Sequence, residues 1–211
     1  EQTETTLIRV EDTRYALAFV SAAWFDHPAK KLTTIGITGT KGKTTTTYLV
    51  KSILENAGRK VGLVGTIEII IGDTHIHAVN TTPESYLLQE YFAKMVESGC
   101  DTVVMEVSSQ ALMLHRTQGF VFDFGIFTNL EPDHIGPNEH ASFEEYQACK
   151  GLLFKQCRHG IVNKDDEHME AAGFSARDQR LEHLRRVLAE QVRDRCAVHR
   201  FLAVGVFVGG K

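Results

Sequence analysis

Ten residues constrain this chain more than any others: Gly36-Ile37-Thr38-Gly39-Thr40-Lys41-Gly42-Lys43-Thr44-Thr45. They join the β-branched run Leu32–Thr38, which predicts a strand, to Thr44–Ala57, whose Tyr48, Leu49, Ile53 and Leu54 share one helical side. A glycine-bearing turn that leaves a strand and opens a helix is suited to phosphate. Glycine lets the main chain approach phosphate oxygens where a Cβ would collide. Backbone N–H groups and the helix N-terminus add partial positive charge. On this reading Gly39, Thr40, Lys41, Gly42 and Thr45 belong to the cradle. Lys43 reaches the β- and γ-phosphates, and Thr44 offers its hydroxyl to Mg2+. The common loop has a glycine five residues before Gly42; Ile37 stands there, so the loop is a variant.

The remaining sequence alternates strands with helices. Tyr15–Phe25 reads as a lead-in helix stopped by Pro28. Val61–Gly65 is a second buried strand, and Thr66–Ile71 and His75–Val79 flank Gly72-Asp73 as a hairpin. Pro83–Glu97 is a helix closed by Gly99, Asp101–Val107 and Phe122–Thr128 are apolar strands, Phe143–Cys157 is a helix, and Gly160–Asn163 is a closing strand. This order predicts an α/β fold that contains a P-loop: a mostly parallel open sheet flanked by helices, with a β-hairpin insertion. A phosphate loop needs a further acidic group for its metal. Glu106, ending the run Val103-Val104-Met105, is placed to deliver one at the sheet's carboxyl edge. Ser108-Ser109 read as a helix N-cap. His75 and His77 could face one side of the hairpin, and without a third ligand they read as a solvated face.

Composition bounds the partners. With 211 residues, 43% apolar and 24% charged, the chain is globular and suits one domain plus a tail. A net charge of −4 implies no broad basic face, which argues against nucleic acid. Four scattered cysteines without a C-x-x-C pair fit free thiols in a reducing cytoplasm. No run reaches the ~18 apolar residues needed to span a membrane. Residue 169 marks a break: residues 169–211 carry +3 against −7 for the rest, with arginine replacing lysine. A folded extension and a segment foreign to the rest both remain open for this basic tail.

Further stretches come in a telling order: Asn80-Thr81-Thr82-Pro83, Met105-Glu106-Val107-Ser108-Ser109, Thr128-Asn129-Leu130, Asp133-His134, Lys150 and Asn163-Lys164-Asp165-Asp166. Together with the phosphate loop this set resembles the Mur ligases, most of all their UDP-N-acetylmuramyl-tripeptide synthetase branch, from about Thr6 to His168. The resemblance implies a central ATPase domain at 32–168, with 1–31 as a lead-in or linker remnant of an N-terminal domain. It implies ATP-dependent amide formation on a UDP-N-acetylmuramyl-peptide through an acyl phosphate, with ATP and Mg2+. The loop and Lys43 would bind ATP, beside Asn129. Thr44 and Glu106 would hold one Mg2+, and Glu106, His134 and Lys150 would surround a second. Lys150 would carry a carbamate. Asn80, Thr81, Thr82, Ser108 and Arg116 would contact the muramyl peptide.

Lys41, Leu114, Lys164 and Pro132–Glu139 depart from the usual family pattern, which touches peptide specificity more than nucleotide binding. The family's uridine-binding and amino-acid-binding domains are not evident in this sequence. The expectation is therefore an isolated ATP-binding domain, inactive alone and completed by domains on another chain. Two alternatives stand beside it: another Mur-type or folylpolyglutamate-synthase-like ligase, and a non-catalytic nucleotide-binding module.

Overall fold

A computed structural model describes residues 7–168 except 134, 138, 164, 165 and 167. Along the chain run α1 (Thr13–Trp24), a 3-10 turn (Pro28–Lys31), β1 (Thr33–Thr38), α2 (Lys43–Asn56), β2 (Val61–Val64), β3 (Glu68–Ile71), β4 (Thr74–His77), α3 (Ser85–Glu97), β5 (Thr102–Glu106), α4 (Ser109–Met113), β6 (Phe122–Phe127), α5 (Phe143–Lys155) and β7 (Cys157–Val162). The seven strands form one sheet in the order β4-β3-β2-β5-β1-β6-β7. β2, β5, β1, β6 and β7 run parallel, and β3 and β4 add an antiparallel hairpin at one edge. The expected α/β class and the hairpin insertion are both present.

Strand alternation divides the core between two faces. Ile35, Ile37, Val61 and Val104 meet Val50 and Leu54 of α2 on one side. Val103, Met105 and Val64 meet Leu88, Phe92 and Met95 of α3 and Leu153 of α5 on the other. The next residue in the Val104 parity is Glu106, so its carboxylate emerges on the face that carries α2.

Local boundaries follow from caps. Asp12 accepts the Tyr15 N–H to start α1, Ser108 accepts that of Ala111 to start α4, and Ser142 accepts that of Glu145 to start α5. Gly58 and Gly99 leave α2 and α3 with φ of +87° and +77°. Pro28 does not stop α1, which ends four residues earlier. Asp26 and His27 turn the chain in left-handed conformations, and Pro28 opens the 3-10 turn, where its fixed φ fits. β7 also begins before the expected Gly160. Cys157 and His159 pair with Phe122 and Phe124, and this register overrides the polar Arg158-His159. His75 and His77 lie on β4, and His75 Nδ1 sits 2.7 Å from Glu68 Oε2. No group of three or more His, Cys, Asp or Glu able to hold a metal occurs among the described residues. Among them, no helix is long and apolar enough to cross a membrane.

Phe92 is fully buried and meets Phe120 edge-on at 5.3 Å between ring centroids. Phe92→Ala should lower the urea-unfolding free energy by about 3–5 kcal/mol. Leu49→Ala, on the exposed side of α2, should change it by less than about 0.5 kcal/mol.

Candidate nucleotide site

The chain reverses its lateral direction at β1. β1 leads through α2 to β2 on one side, while β6 lies on its other side, so a crevice opens at the carboxyl ends of β5, β1 and β6. Gly39–Gly42 fill its floor. Gly39 has φ of +148°, and a Cβ there would lie 1.9 Å from Thr128 Oγ1. The end of β6 splints the loop. Thr40 N–H donates to Asn129 O at 2.9 Å, Lys41 N–H donates to Asn129 Oδ1 at 2.8 Å, and Asn129 Nδ2 and Thr128 Oγ1 donate to Lys41 O. Gly42 caps α2 with φ of +79°, and a Cβ added there would meet no atom within 4 Å. The loop is thus held on its inner side and open on its outer side.

Two amino groups converge on this floor. Lys43 Nζ donates to Gly39 O at 2.9 Å and to Thr40 O at 3.1 Å. Lys150 Nζ, on α5, donates to the same Gly39 O at 2.8 Å and lies 4.4 Å from the centre of the Tyr146 ring. Neither lysine has a carboxylate partner among the described residues. Burial lowers the pKa of Lys43, against the pull of the nearby Glu106 carboxylate and with help from the Lys41 charge. Burial, helped by Lys43, brings Lys150 down to about 7. Tyr146 is fixed in turn by its hydroxyl, 3.1 Å from Thr40 Oγ1. Lys41 instead points outward and pairs with Asp133 at 2.9 Å.

Beside these cations stands Glu106, 1% exposed. It accepts from Thr44 Oγ1 at 3.0 Å, from Thr66 N–H at 3.0 Å and from Thr66 Oγ1 at 3.1 Å. A Cβ at residue 65 would lie 2.8 Å from Glu106 Oε1, so Gly65 leaves the carboxylate room. Octahedral Mg2+ with bonds of about 2.0–2.1 Å sets neighbouring ligand oxygens about 2.9 Å apart. The Thr44 and Glu106 oxygens fit that spacing as they stand. Two protein oxygens suit an ion that keeps waters and takes its other ligands from phosphates. The paired lysines, neither of them bonded to an acid among the described residues, suit the phosphates themselves.

The structure distributes the other sequence-named residues as follows. Thr82 is buried; its hydroxyl donates to Glu106 O and accepts from the Ser108 N–H, tying the turn after β5 to the segment before α3. The Thr81 and Thr66 hydroxyls lie 3.0 Å apart. Arg116 donates to Thr82 O and pairs with Glu84 at 2.9 Å. Asn80 is exposed and Thr45 lies in the first turn of α2. Asp166 accepts the Leu130 N–H at 2.8 Å. His134, Lys164 and Asp165 lie outside the described residues, as does the tail from 169.

Sequence reasoning missed Thr66, Tyr146 and His140. Thr66 sits in a turn with no motif around it. Tyr146 is four residues before Lys150, a helical spacing that could have flagged it. His140 is 2% exposed with Nε2 2.8 Å from Ser109 Oγ, joining α4 to the loop before α5.

The Lys150 amine gives a pH signature. Folded, it loses its proton near pH 7; unfolded, near about 10.4. Below pH 7 both states are protonated and the cost of burying the charge is felt in full. Between the two values the unfolded state binds more protons, so stability rises with pH. Lys150→Met should be more stable than the parent at neutral pH, and the difference should shrink toward about pH 10 in CO2-free buffer. Urea midpoints with parallel pH profiles would contradict this assignment.

Comparison with known proteins agrees with this geometry. The Mur ligase middle domain family matches residues 37–192. The UDP-N-acetylmuramoyl-L-alanyl-D-glutamate–2,6-diaminopimelate ligase 1 of Clostridium acetobutylicum is 51% identical over 165 residues, which is 78% of this chain and 34% of that protein. A solved structure of a ligase of the same name superposes with a TM-score of 0.68 at 23% identity, over 78% of this chain and 34% of that one. A Mycobacterium tuberculosis folylpolyglutamate synthase complexed with ADP shares the fold, with a TM-score of 0.58 at 13% identity, over 78% of this chain and 44% of that one. The chain spans about a third of the length of the curated relatives it matches. On the strength of the match across residues 37–192, which covers the phosphate loop, Glu106 and Lys150, this chain belongs to the Mur ligase family through its middle domain.

Proposed function

We propose that this chain is the ATP-binding part of a cytoplasmic ligase that joins an amino acid to a UDP-N-acetylmuramoyl-peptide in peptidoglycan synthesis. One observation carries the reading: Lys43 and Lys150 share the Gly39 carbonyl beside the Thr44–Glu106 oxygen pair. The names of the relatives support UDP-N-acetylmuramoyl-L-alanyl-D-glutamate as acceptor and 2,6-diaminopimelate as amine. Other domains of the ligase, on the same or another chain, would hold the uridine and the incoming amino acid. This chain by itself would bind nucleotide and turn over poorly.

When bound, ATP supplies a transferable phosphoryl group and Mg2+ neutralises charge on it. The residues here position and stabilise. Gly39–Gly42 lay main chain against the phosphates, with Asn129 holding the loop. Lys43 leaves its two carbonyls to meet the β- and γ-oxygens, where charge spreads during transfer. Thr44 and Glu106 would hold the ion, and Thr66 keeps Glu106 oriented with two hydrogen bonds. A substrate carboxylate oxygen attacks the γ-phosphorus and the bond to the β-phosphate oxygen breaks, releasing ADP. The amine then attacks the acyl carbon, phosphate departs with the bonding pair, and the nitrogen loses a proton. Asn80, Thr81, Ser108 and Arg116 would line the approach of the muramyl peptide, with the buried Thr82 bracing the turn behind them.

Lys150 has a separate task. With its pKa near 7, a good share of the amine is neutral at physiological pH. Its lone pair can add to the carbon of CO2 with loss of one proton, giving a carbamate. That turns a cation beside a metal site into an anion, able with Glu106 and His134 to favour a second Mg2+.

Isothermal titration with Mg2+ and a non-hydrolysable ATP analogue tests the nucleotide site. The parent should bind, and Lys43→Ala and Gly39→Ala should weaken binding by about 100-fold or more, some 2.7 kcal/mol. Affinity within about threefold of the parent in Lys43→Ala would sink the proposal. Carbon-13 bicarbonate should give a protein-bound carbamate signal by NMR that is absent in Lys150→Arg. Its persistence in that variant would refute the carbamate.

A further inference from the structure

The sheet has a second opening, at its other end. A cavity of about 580 Å3 lies between α1, α3, the amino ends of β1 and β6, and the end of α5. Its size falls within the roughly 300–1,000 Å3 of small-molecule sites. β1 separates it from the phosphate loop by its full six residues, roughly 20 Å. None of the residues placed in the nucleotide site lines it.

We propose that this cavity binds a small organic anion with an apolar body and a hydrogen-bond donor. Three features define that ligand. The walls are apolar: Phe19 and Ala22 from α1, Leu32 before β1, Phe120 and Val121 before β6, and Leu152 from α5. Phe19 and Val121 are large apolar side chains left 45% and 52% exposed.

The second feature is Gln89 of α3. It lines the cavity at 1% exposure, and its buried Oε1 has no hydrogen-bond partner. A buried acceptor left unmet costs about 1–3 kcal/mol. The contrast with Gln156 on the opposite wall is direct. Gln156 Nε2 donates to Phe120 O at 2.9 Å, and its Oε1 accepts from Thr117 and Gln118. One glutamine is consumed by the fold and the other is not. A ligand N–H or O–H would satisfy it.

The third feature is charge. Lys30, Lys155 and Arg158 stand around the opening against a single acid, Asp123. Asp123 is already engaged: Oδ2 accepts from Thr34 N–H and Thr34 Oγ1, and Oδ1 lies 3.6 Å from Arg158. Lys30 and Lys155 make no ion pair among the described residues. A carboxylate or other anion on the ligand would find two uncommitted ammonium groups.

Indole-3-acetate carries all three features and serves as the probe. It would be titrated into the isotope-labelled full chain saturated with Mg2+ and the ATP analogue, and followed by amide NMR shifts. Saturable shifts are expected at Ala22, Phe120, Val121 and Leu152, with none at 39–45. Gln89→Leu should weaken binding about five- to tenfold, the loss of one hydrogen bond. Lys30→Gln with Lys155→Gln should weaken it at low salt. Tryptamine, with the same ring and the opposite charge, should bind at least about tenfold more weakly. Ala22→Phe should block the cavity, and retained ATP-analogue affinity shows that each variant is folded. The proposal is overturned by an absence of saturable shifts up to about 10 mM. Equal binding of tryptamine, or indifference to both Gln89→Leu and Ala22→Phe, would overturn it as well.

Discussion

Two ammonium groups aimed at one peptide oxygen define this molecule. Lys43 and Lys150 come from different helices, α2 and α5, and meet at Gly39 O at 2.9 and 2.8 Å. The carbonyl dipoles of Gly39 and Thr40 cannot balance two buried amino groups. The fold accepts this cost, which shows in the lowered pKa of both. Such an arrangement makes physical sense where an anion of high charge is to arrive. Burial strengthens its attraction to the lysines, and the N-terminus of α2 adds partial positive charge.

Holding that arrangement falls to the ends of three parallel strands. β1 delivers the loop, β5 delivers Glu106, and β6 delivers Thr128 and Asn129, which pin the loop from behind. Register fixes the set, since Ile37 pairs with Glu106 and Thr38 with Phe127. A slip of one residue in β5 would turn Glu106 away from Thr44 and send Met105 into the crevice. The apolar pattern forbids that slip, because Val103 and Met105 are needed against α3 while Val104 is needed against α2. Core packing on both faces therefore sets the placement of one carboxylate.

This division explains what was legible in the residues. The phosphate loop announces itself because its requirements are local: glycine where φ is positive, and lysine and threonine at the helix start. Glu106 was legible because an apolar strand ending in an acid is a local pattern too. Order of motifs then led to Lys150 through resemblance. Thr66 could not be read, since its role arises from the turn after β2 folding over β5. Tyr146 acts on Thr40 across 106 positions of sequence, and only its helical spacing from Lys150 was visible. The early start of β7 was hidden by Arg158 and His159, polar residues that pairing with β6 carries into the sheet. Pro28 misled because a proline is read as a stop, while here it is a beginning.

The two ends of the sheet also differ in how they treat buried polar groups. At the carboxyl end, Thr44, Thr66, Thr81, Thr82 and Ser108 surround Glu106 with hydrogen bonds; the Thr38 hydroxyl lacks a partner among the described residues, and the larger unmet demand is ionic. At the amino end, the unmet demand at Gln89 is for a single hydrogen bond, set among aromatic and aliphatic walls. An ionic deficit in a polar crevice selects a multiply charged ligand, whereas a lone acceptor in an apolar cavity selects an apolar body with a hydrogen-bond donor. The rim lysines add a preference for one negative charge, since they sit where water still reaches and screens them. The same fold can therefore discriminate sharply between its two ends, although both openings are bordered by lysines.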